Sequence, residues 1–400
     1  SIGGQICLLI VNLIVGLASG GTVLIAQYAG AKRDDQIKGT IGTMFTIYVV
    51  AAAVLTGLVV AFLDPILNLM QTPAESFAEA HEYLLVCALG TIFIFGYNAV
   101  SAMLRGMGDS KSPLLFVGVA TVTNIVLDIL LVGPAGMGAA GAALATIFAQ
   151  ALSLVLSLVY LRRRSFVFDF KLKSFCFEKE KAKKLLKIGL PASIQGTLVS
   201  LSFIILTSLA NSFGIDSSSA YGIGGKVNSF AILPALAISS AIAAMAGQNI
   251  GAGLFDRAHK TMMKGMQIAL GISAAICMLF NLFPNEIARI FSSEQEVIDA
   301  TASYLRYISV DCVISSIVFS FNGLIMASGY TMMSLLNALI TSIALRVPLA
   351  FLFASGMGMK LDGIGLASSL APIGAVLTGW IFLRSGKWKK SSVGGPVLMD

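Results

Sequence analysis

Charged residues are scarce in this sequence of 400 residues, at 12% of the chain against 56% hydrophobic residues. A soluble domain usually carries about 25% charged residues, so charge does not cover the surface of this protein. Long segments without any charged residue include 1–31, 39–63, 83–104, 129–161, 188–215 and 227–255. A helix needs about 20 mostly apolar residues to cross a bilayer. The scarcity of charge therefore excludes an ordinary soluble protein and favours membrane-spanning helices.

Cysteine and histidine are also scarce, and neither forms a metal-binding pattern. The five cysteines are Cys7, Cys87, Cys176, Cys277 and Cys312, and the two histidines are His81 and His259. No Cys-x-x-Cys spacing occurs, and four of the cysteines lie in apolar runs, where this residue behaves as a small hydrophobe. We therefore expect no metal site and no cofactor. A membrane-embedded enzyme would need clustered His, Asp or Ser near one face, and because the sequence offers none we expect no enzymatic activity.

The apolar segments predict eleven membrane spans in an all-α polytopic protein. The predicted spans are 6–29, 40–63, 83–104, 113–134, 139–161, 188–211, 222–248, 265–284, 303–327, 332–355 and 363–383. Membrane β-strands would alternate apolar and polar residues over about 10 positions, and this alternation is missing. Helices satisfy their own backbone hydrogen bonds in lipid. The lipid bilayer is accordingly the expected environment.

The net charge of +7 is concentrated in one segment, 162–187, which holds ten Lys and Arg residues against three Asp and Glu. Loops rich in Lys and Arg stay in the cytoplasm. The other basic loops and the tail after residue 384 fall on the same side, whereas the acidic loop 64–82 falls on the opposite side. We expect a cell-membrane protein with this linker and the C-terminus in the cytoplasm, and no nucleic-acid partner. The linker is interpreted as a solvated amphipathic connection, with a partner-binding role as the alternative.

An internal repeat relates the two halves of the chain at a shift of 221 residues. At this shift Gln27 aligns with Gln248, and Gly108 aligns with Gly329. The segment GMGAAGAALA (136–145) aligns with GMKLDGIGLA (358–367) when one residue is added to the shift. Matching glycines, loop acids and span order predict two parallel repeats of six helices each. Parallel repeats place a transport site near the membrane midplane between them.

The repeat also predicts that one helix is missing from the first half. The span 188–211 precedes the second repeat, and its counterpart would precede residue 1. We therefore expect a chain truncated at its N-terminus that lacks the first transmembrane helix. The predicted domains are an N-terminal bundle at 1–161, a basic linker at 162–187, a C-terminal bundle at 188–384 and a cytoplasmic tail at 385–400.

Asp128 is the most informative charge inside a predicted span, with Asn124 four residues before it. This spacing puts both side chains on one helical face. Charged residues inside a membrane are costly and are usually functional. A carboxylate beside an amide oxygen can bind a small cation or carry a proton, although a structural role for Asp128 is the alternative. Thr146 in the next span could add a hydroxyl ligand or bond its own backbone instead.

Asp311 and Arg346 are the other charges that fall within predicted spans. They could pair across helices, or Asp311 could extend toward the outer face, and the sequence does not decide between these possibilities. We treat both residues as secondary intramembrane charges.

Several segments together resemble the MATE family, the multidrug and toxic-compound extrusion transporters. They are GGTVLIAQYAGAKRDDQ, AMLRGMGDSKSPLL, NIVLDILLVGPAGMGAAGAALAT and AGQNIGAGLFDRA. The resemblance runs over nearly the whole chain, and the order and spacing of the segments carry it. It implies twelve helices in two six-helix bundles around a central cavity. It also implies export of cationic, amphipathic compounds in exchange for protons or sodium ions.

The resemblance also implies roles for particular residues. In one branch of the family an Asn-x-x-x-Asp on the fifth helix forms a cation site, and Asn124 and Asp128 match it. A threonine on the sixth helix joins that site, and Thr146 stands at the matching spacing. The remaining acid of that site lies on the first helix. Another branch uses acids on the seventh and tenth helices; the seventh helix here has none, so Asp311 is the weaker candidate.

These observations predict a monomeric cation-coupled antiporter that exports small cationic amphipathic compounds by alternating access. The transported proton or sodium ion is its only expected inorganic ligand. A lipid-linked oligosaccharide flippase of the same superfamily is the alternative. Such a protein would need a more cationic cavity, and Arg346 is the one basic residue expected at mid-depth.

Overall fold

The structure is a computed structural model that describes the backbone of residues 2–69, 74–163, 166–171 and 174–389. Side chains are described for 11–68, 75–163, 166–171 and 174–389. Parts of the predicted linker (164–165 and 172–173) and of the predicted tail (390–400) lie outside the described residues. Within the described ranges the chain is helical and has no strand, so the predicted all-α fold class is confirmed.

The helices follow one another with short connections. In chain order they are α1 (Ile2–Gly30), α2 (Asp34–Ala61), α3 (Leu63–Leu69), α4 (Ala74–Gly106), α5 (Lys111–Val132), α6 (Gly138–Arg163), α7 (Lys179–Asn211), α8 (Ile215–Gly251), α9 (Phe255–Leu282), α10 (Pro284–Arg289), α11 (Gln295–Ala327), α12 (Thr331–Ala338), the π-helix π1 (Leu339–Arg346), α13 (Val347–Phe351), the π-helix π2 (Leu352–Gly356), α14 (Lys360–Leu370) and α15 (Pro372–Arg384).

Eleven helical stretches in the described part of the chain are long and apolar enough to cross a membrane. Two of them are composite, because α12 to π2 form one stretch, Thr331–Gly356, and α14 and α15 form another, Lys360–Arg384. The predicted number of spans is confirmed. Most helices extend beyond the predicted spans by several polar residues, since hydropathy marks the apolar part of a helix and not its ends.

The chain divides into two compact units, Ser1–Ser193 and Ile194–Gly395, with the boundary inside α7. In the first unit α4 is central and packs against α1, α2 and α6. The hydroxyl of Thr22 on α1 donates to the carbonyl of Ala102 on α4 at 3.2 Å. A Cβ atom on Gly106 would lie 2.8 Å from the carbonyl oxygen of Thr22. Small residues thus let α1 and α4 approach closely, as is usual in membrane helix pairs.

In the second unit α11 is central and packs against α8, α9, α14 and α15. Its contact with α8 again depends on a small residue, because a Cβ on Gly323 would lie 2.8 Å from the carbonyl oxygen of Ser239. The Ser239 hydroxyl donates to the carbonyl of Phe319 at 2.7 Å. The core around α11 includes Tyr304 and Leu305, both fully buried. Each unit is therefore organised around one long, buried helix.

The repeat predicted from the sequence is present in the helix boundaries. Both ends of α2 and α9 differ by 221 residues, and so do both ends of α4 and α11. The turn after α4 contains Gly108 with φ 91°, and the turn after α11 contains Gly329 with φ 80°. Both backbones need the left-handed region that glycine adopts at little cost. The two units therefore share the order and the lengths of these helices.

The extra residue of the second half lies in π1. After α5 the N–H of Met137 donates to the carbonyl of Leu131 at 2.9 Å, and the N–H of Met359 donates to that of Phe353 at 3.1 Å. These two bonds correspond at a shift of 222 residues, one more than the shift of 221 that relates α4 to α11. The π-helix π1 lies between the part of the chain with the shift of 221 and the part with the shift of 222. The corresponding helix of the first half, α5, is a regular α-helix over Lys111–Val132. A π-helical turn bonds residue i to i+5 instead of i+4 and so accommodates one more residue.

The described part of the basic linker packs on α2. Phe45 contacts Phe170 and Phe175 edge to face, with ring centroids 6.0 and 5.7 Å apart. Phe168 contacts both of those linker rings and is only 3% exposed. Apolar burial of this kind holds the segment against the first unit, so the linker is not solvated along its whole length.

A short polar turn closes the same segment. The Ser174 hydroxyl donates to Oδ1 of Asp169 at 2.5 Å, and the backbone N–H of Lys171 donates to the same oxygen at 3.3 Å. These two hydrogen bonds lower the pKa of Asp169, the hydroxyl having the larger effect. The carboxylate therefore stays ionised and keeps the turn in place at neutral pH.

Candidate functional site

The first candidate site lies on the hairpin of α5 and α6. Asn124 and Asp128 occupy one face of α5, one turn apart, and Thr146 lies on α6. Most side chains of α5 that face outward are apolar, with Val122, Ile125 and Ile129 among them. An apolar outer face is expected where a helix meets lipid. Asn124 and Asp128 are thus polar residues on a helix whose outer face is mostly apolar.

Asn124 and Thr146 contact each other. The amide Nδ2 of Asn124 donates to Oγ1 of Thr146 over a long 3.4 Å. The Thr146 hydroxyl in turn donates to the carbonyl of Ala142 at 3.0 Å. The Thr146 hydroxyl therefore bonds to its own helix, as one of the two possibilities predicted, and its oxygen also accepts a hydrogen bond from Asn124. The amide contact leaves the carbonyl oxygen of the Asn124 side chain available to a cation.

Asp128 has a buried carboxylate oxygen without a partner. Its Oδ1 is shielded from solvent and accepts no hydrogen bond. Burying a carboxylate oxygen without a donor is costly. A proton or a small cation bound to this oxygen would remove that cost. The arrangement suits a group that changes its charge or its ligand during function.

Gln150 is a further polar residue near this site, and its sequence context does not mark it as functional. It lies on α6 four residues after Thr146, and its Oε1 is also buried without a hydrogen-bond partner. The i, i+4 spacing places Thr146 and Gln150 on one face of α6. That spacing was the available signal, but an uncharged glutamine in an apolar run does not stand out as Asp128 does.

Asp311 and Arg346 are brought together in the second unit. They line one cavity of about 120 Å³, and they are 3% and 7% exposed respectively. Oδ1 of Asp311 accepts a hydrogen bond from the Ser315 hydroxyl at 2.7 Å. The Arg346 guanidinium carbon lies 5.0 Å from the ring centroid of Phe203. Among the described residues, no ion pair within 4.0 Å joins Asp311 to Arg346.

The part of the chain that the structure describes contains no group of three or more His, Cys, Asp or Glu residues placed to hold a metal ion. The polar sites are instead made of one or two charged side chains among amides and hydroxyls. Such sets bind protons, monovalent ions or polar groups of organic molecules.

Comparison with known proteins agrees with this architecture. A family model described as MatE matches residues 1–130 and 191–352. The chain is 31% identical to the probable multidrug resistance protein YpnP of Bacillus subtilis (strain 168), over 97% of this chain and 86% of that protein. It is 30% identical to the probable multidrug resistance protein YoeA of the same organism, over 89% of this chain and 78% of that protein.

A solved structure shares the fold. The outward-facing conformation of a multidrug resistance MATE family transporter of the MOP superfamily superposes with a TM-score of 0.89 at 22% identity, covering 94% of this chain and 86% of that one. Together with the candidate spans, these matches make the protein a multi-pass membrane protein. The chain belongs to the MATE family of multidrug efflux transporters, which are not enzymes.

Proposed function

We propose that this protein is a cation-coupled antiporter that exports small cationic amphipathic compounds by alternating access. A proton or a sodium ion is the coupling ion, and Asp128 is its binding residue. Asn124 and Thr146 supply neutral oxygens beside it. The observation that carries the proposal is the buried, unpartnered Oδ1 of Asp128, the one acid of a mostly apolar helix.

Coupling requires that the ion favours one conformation of the protein over the other. An ionised Asp128 leaves a buried oxygen unsatisfied, which raises the free energy of any state that keeps it buried. Ion binding removes this penalty and thereby stabilises that state. A tenfold preference corresponds to about 1.4 kcal/mol, which one unsatisfied, buried carboxylate oxygen can supply.

The proposed cargo class follows from the family and from the relatives described above as probable multidrug resistance proteins. The proposed orientation follows from the basic segment 162–187, which the positive-inside rule places in the cytoplasm. A monomer suffices for this mechanism, because both halves of the repeat lie in one chain.

The test is dye-cation efflux from energised membrane vesicles that contain the whole protein. A proton gradient and a sodium gradient are imposed separately on the wild type, on Asp128→Asn and on the matched control Asp216→Asn. Asp216 is an exposed acid in the first turn of α8. We expect one gradient to drive efflux in the wild type and the control but not in Asp128→Asn. Normal efflux by Asp128→Asn would refute the assignment of Asp128.

A flippase for lipid-linked oligosaccharides is the second candidate, favoured only by the buried Arg346. A pyrophosphate lipid carries several negative charges and needs several cations. Dye efflux under neither gradient, with the protein correctly inserted, would favour this second function.

A further inference from the structure

The cavity that holds Arg346 belongs entirely to the second unit, and its lining combines apolar side chains with a cluster of polar ones. Its volume is about 120 Å³. Its polar lining residues are Gln195, Asp311, Ser315, Asn322, Asn337, Thr341, Ser342 and Arg346. A cavity needs roughly 10–15 Å³ of such volume to hold one water molecule. This cavity therefore has room for a small polar group of a ligand.

Buried polar atoms around this cavity lack partners within the protein. They are Oδ1 of Asn322, Nδ2 of Asn337, Oγ1 of Thr341, and Nε and Nη1 of Arg346. Each unsatisfied atom costs about 1–3 kcal/mol, and charged atoms cost more. Three of the five atoms are N–H donors, and two of those belong to a permanent cation. A ligand group with acceptor oxygens can satisfy these three donors, and the guanidinium attracts a negative charge on that group.

The side chains around the guanidinium of Arg346 leave it open to such a ligand. Phe203 covers a face of the planar group, at 5.0 Å from Cζ to the ring centroid. This cation–π contact leaves the N–H donors along the edges of the guanidinium free. Asp311 lies in the same cavity, but it accepts from Ser315 and is not paired with Arg346 within 4.0 Å. The guanidinium is thus held in position, and its charge is not used in an ion pair within 4.0 Å.

The internal repeat shows that the two units have opposite charge at this place. Because the extra residue lies in π1, which ends at Arg346, the shift of 222 applies from Arg346 onward. Arg346 therefore corresponds to Asn124, and Ala350 corresponds to Asp128. The first unit carries an amide and an acid, and the second carries a guanidinium and a methyl group. The same helix position thus favours cations in one unit and anions in the other.

We propose that this cavity is a subsite for a carboxylate group, which binds to Arg346 with Asn337 and Thr341 as further donors. The carboxylate belongs to the transported compound, so the cargo includes amphipathic aromatic cations that also carry a carboxylate. This proposal rests on the proposed export function and names an additional substrate class for it. Arg346 is positioned for charge-assisted hydrogen bonds, which are about twice as strong as neutral ones.

The test is equilibrium binding of two matched dyes to the purified whole protein, measured by fluorescence polarisation without any gradient. Rhodamine B carries a free carboxylate, and its methyl ester has the same cationic ring system without that negative charge. For Arg346→Gln we expect a loss of tenfold or more in affinity for rhodamine B, with the ester bound within twofold of wild type. Asp311→Asn removes a repelling charge, so it should tighten rhodamine B binding severalfold and leave the ester unchanged.

Arg384→Gln is the control, because Arg384 also lies over an aromatic ring, with Cζ 4.3 Å from the Trp380 centroid, but outside the cavity. It should leave both dyes unaffected. If Arg346→Gln does not fold, Asn337→Leu and Thr341→Val take its place, with a severalfold loss expected for rhodamine B alone. Ester binding at the wild-type level reports that a variant is folded.

Three results would overturn the proposal. One is an equal loss of both dyes in a folded Arg346→Gln, which would indicate a structural role. Another is a wild type that binds the ester but not rhodamine B, which leaves the export function standing. The third is binding of neither dye, which removes the proposed cargo class as well.

The carboxylate in this subsite could belong to a free small molecule or to a larger amphipathic compound. Competition with benzoate distinguishes these two sources. Displacement of rhodamine B but not of the ester assigns the subsite to free small carboxylates as well. Displacement of neither dye assigns it to the carboxylate of a larger amphipathic compound. Displacement of both dyes to the same extent would contradict a carboxylate-specific subsite.

Discussion

Asn124 on α5 and Thr146 on α6 contact each other through their side chains, with Nδ2 3.4 Å from Oγ1. This contact connects the two helices beside the unpartnered oxygen of Asp128. In the proposed transporter it positions the neutral oxygens of the ion site. Its removal should therefore change the affinity for the coupling ion more than the capacity of the protein to fold.

Thr146→Val removes the hydroxyl and keeps the shape of the side chain, whereas Thr146→Ser keeps the hydroxyl. We expect Thr146→Val to lower the apparent affinity for the coupling ion by about tenfold, or about 1.4 kcal/mol, and Thr146→Ser to stay within about threefold. The measurement is dye efflux as a function of the ion gradient. Because Asn124 and Thr146 touch, the double variant Asn124→Ala with Thr146→Val should lose less than the sum of the single losses. Additive losses would mean that the contact plays no part in ion binding.

Phe168 supports the aromatic cluster that attaches the basic linker to α2, since it is 3% exposed and packs on Phe170 and Phe175, the two rings that contact Phe45 of α2. Phe168→Ala should lower the free energy of unfolding by about 3–5 kcal/mol, the usual cost of removing a buried phenylalanine. Phe177 in the same segment is 59% exposed, so Phe177→Ala should change stability by less than about 0.5 kcal/mol. Denaturation in one detergent, followed by circular dichroism, compares the two variants. Equal stability of both would show that the aromatic cluster does not hold the linker.

Gly141 and Gly363 correspond in the repeat, and each allows a close approach between neighbouring helices. A Cβ on Gly363 would lie 2.6 Å from the backbone N of Ala354, and a Cβ on Gly141 would lie 3.1 Å from the backbone C of Leu131. Backbone atoms cannot move aside cheaply, so we expect Gly363→Ala to destabilise by about 1–3 kcal/mol. Gly141→Ala should cost less, since its contacts are longer.

Gly271→Ala is the control for these two variants, because nothing lies within 4 Å of its added Cβ. In a helix interior this change should stabilise by up to about 1 kcal/mol. The measurement is the thermal unfolding midpoint in detergent. A Gly363→Ala protein as stable as the control would mean that the helices are not held at this distance.

The fold was predictable from the sequence because the apolar composition of segments indicates membrane spans and the spacing of matching residues indicates the repeat. Charge-free runs gave the eleven spans, and the glycines Gly108 and Gly329 gave the register that the helix boundaries follow. The i, i+4 spacing of Asn124 and Asp128 also places two groups on one helical face without reference to tertiary structure. These features are local, and local features can be read from a sequence.

The second-unit cavity was not predictable, because it depends on a departure from α-helical geometry. Asn337 and Arg346 are nine residues apart, and at about 100° per residue an α-helix would turn them to opposite faces. The wider turns of π1 bring both to one cavity. The sequence contains the extra residue, but helical periodicity does not show whether it forms a π-helix or lengthens a loop. Gln150 was missed for a different reason, since an amide in an apolar run carries no charge to mark it.

Asp128 and Asp311 should differ in their importance for coupling, because their carboxylates differ in what already satisfies them. Oδ1 of Asp128 has no hydrogen-bond partner, whereas Oδ1 of Asp311 accepts from Ser315 at 2.7 Å and shares its cavity with Arg346. A carboxylate that already has a donor and a nearby cation gains less from binding another cation. We therefore expect Asp128→Asn to lose gradient-driven efflux of ethidium by at least tenfold, while Asp311→Asn keeps it within about threefold. Vesicles with equal amounts of inserted protein, under the gradient that drives the wild type, provide the comparison. If Asp311→Asn lost efflux and Asp128→Asn retained it, the coupling ion would bind in the second unit, and the assignment of the two sites would have to be exchanged.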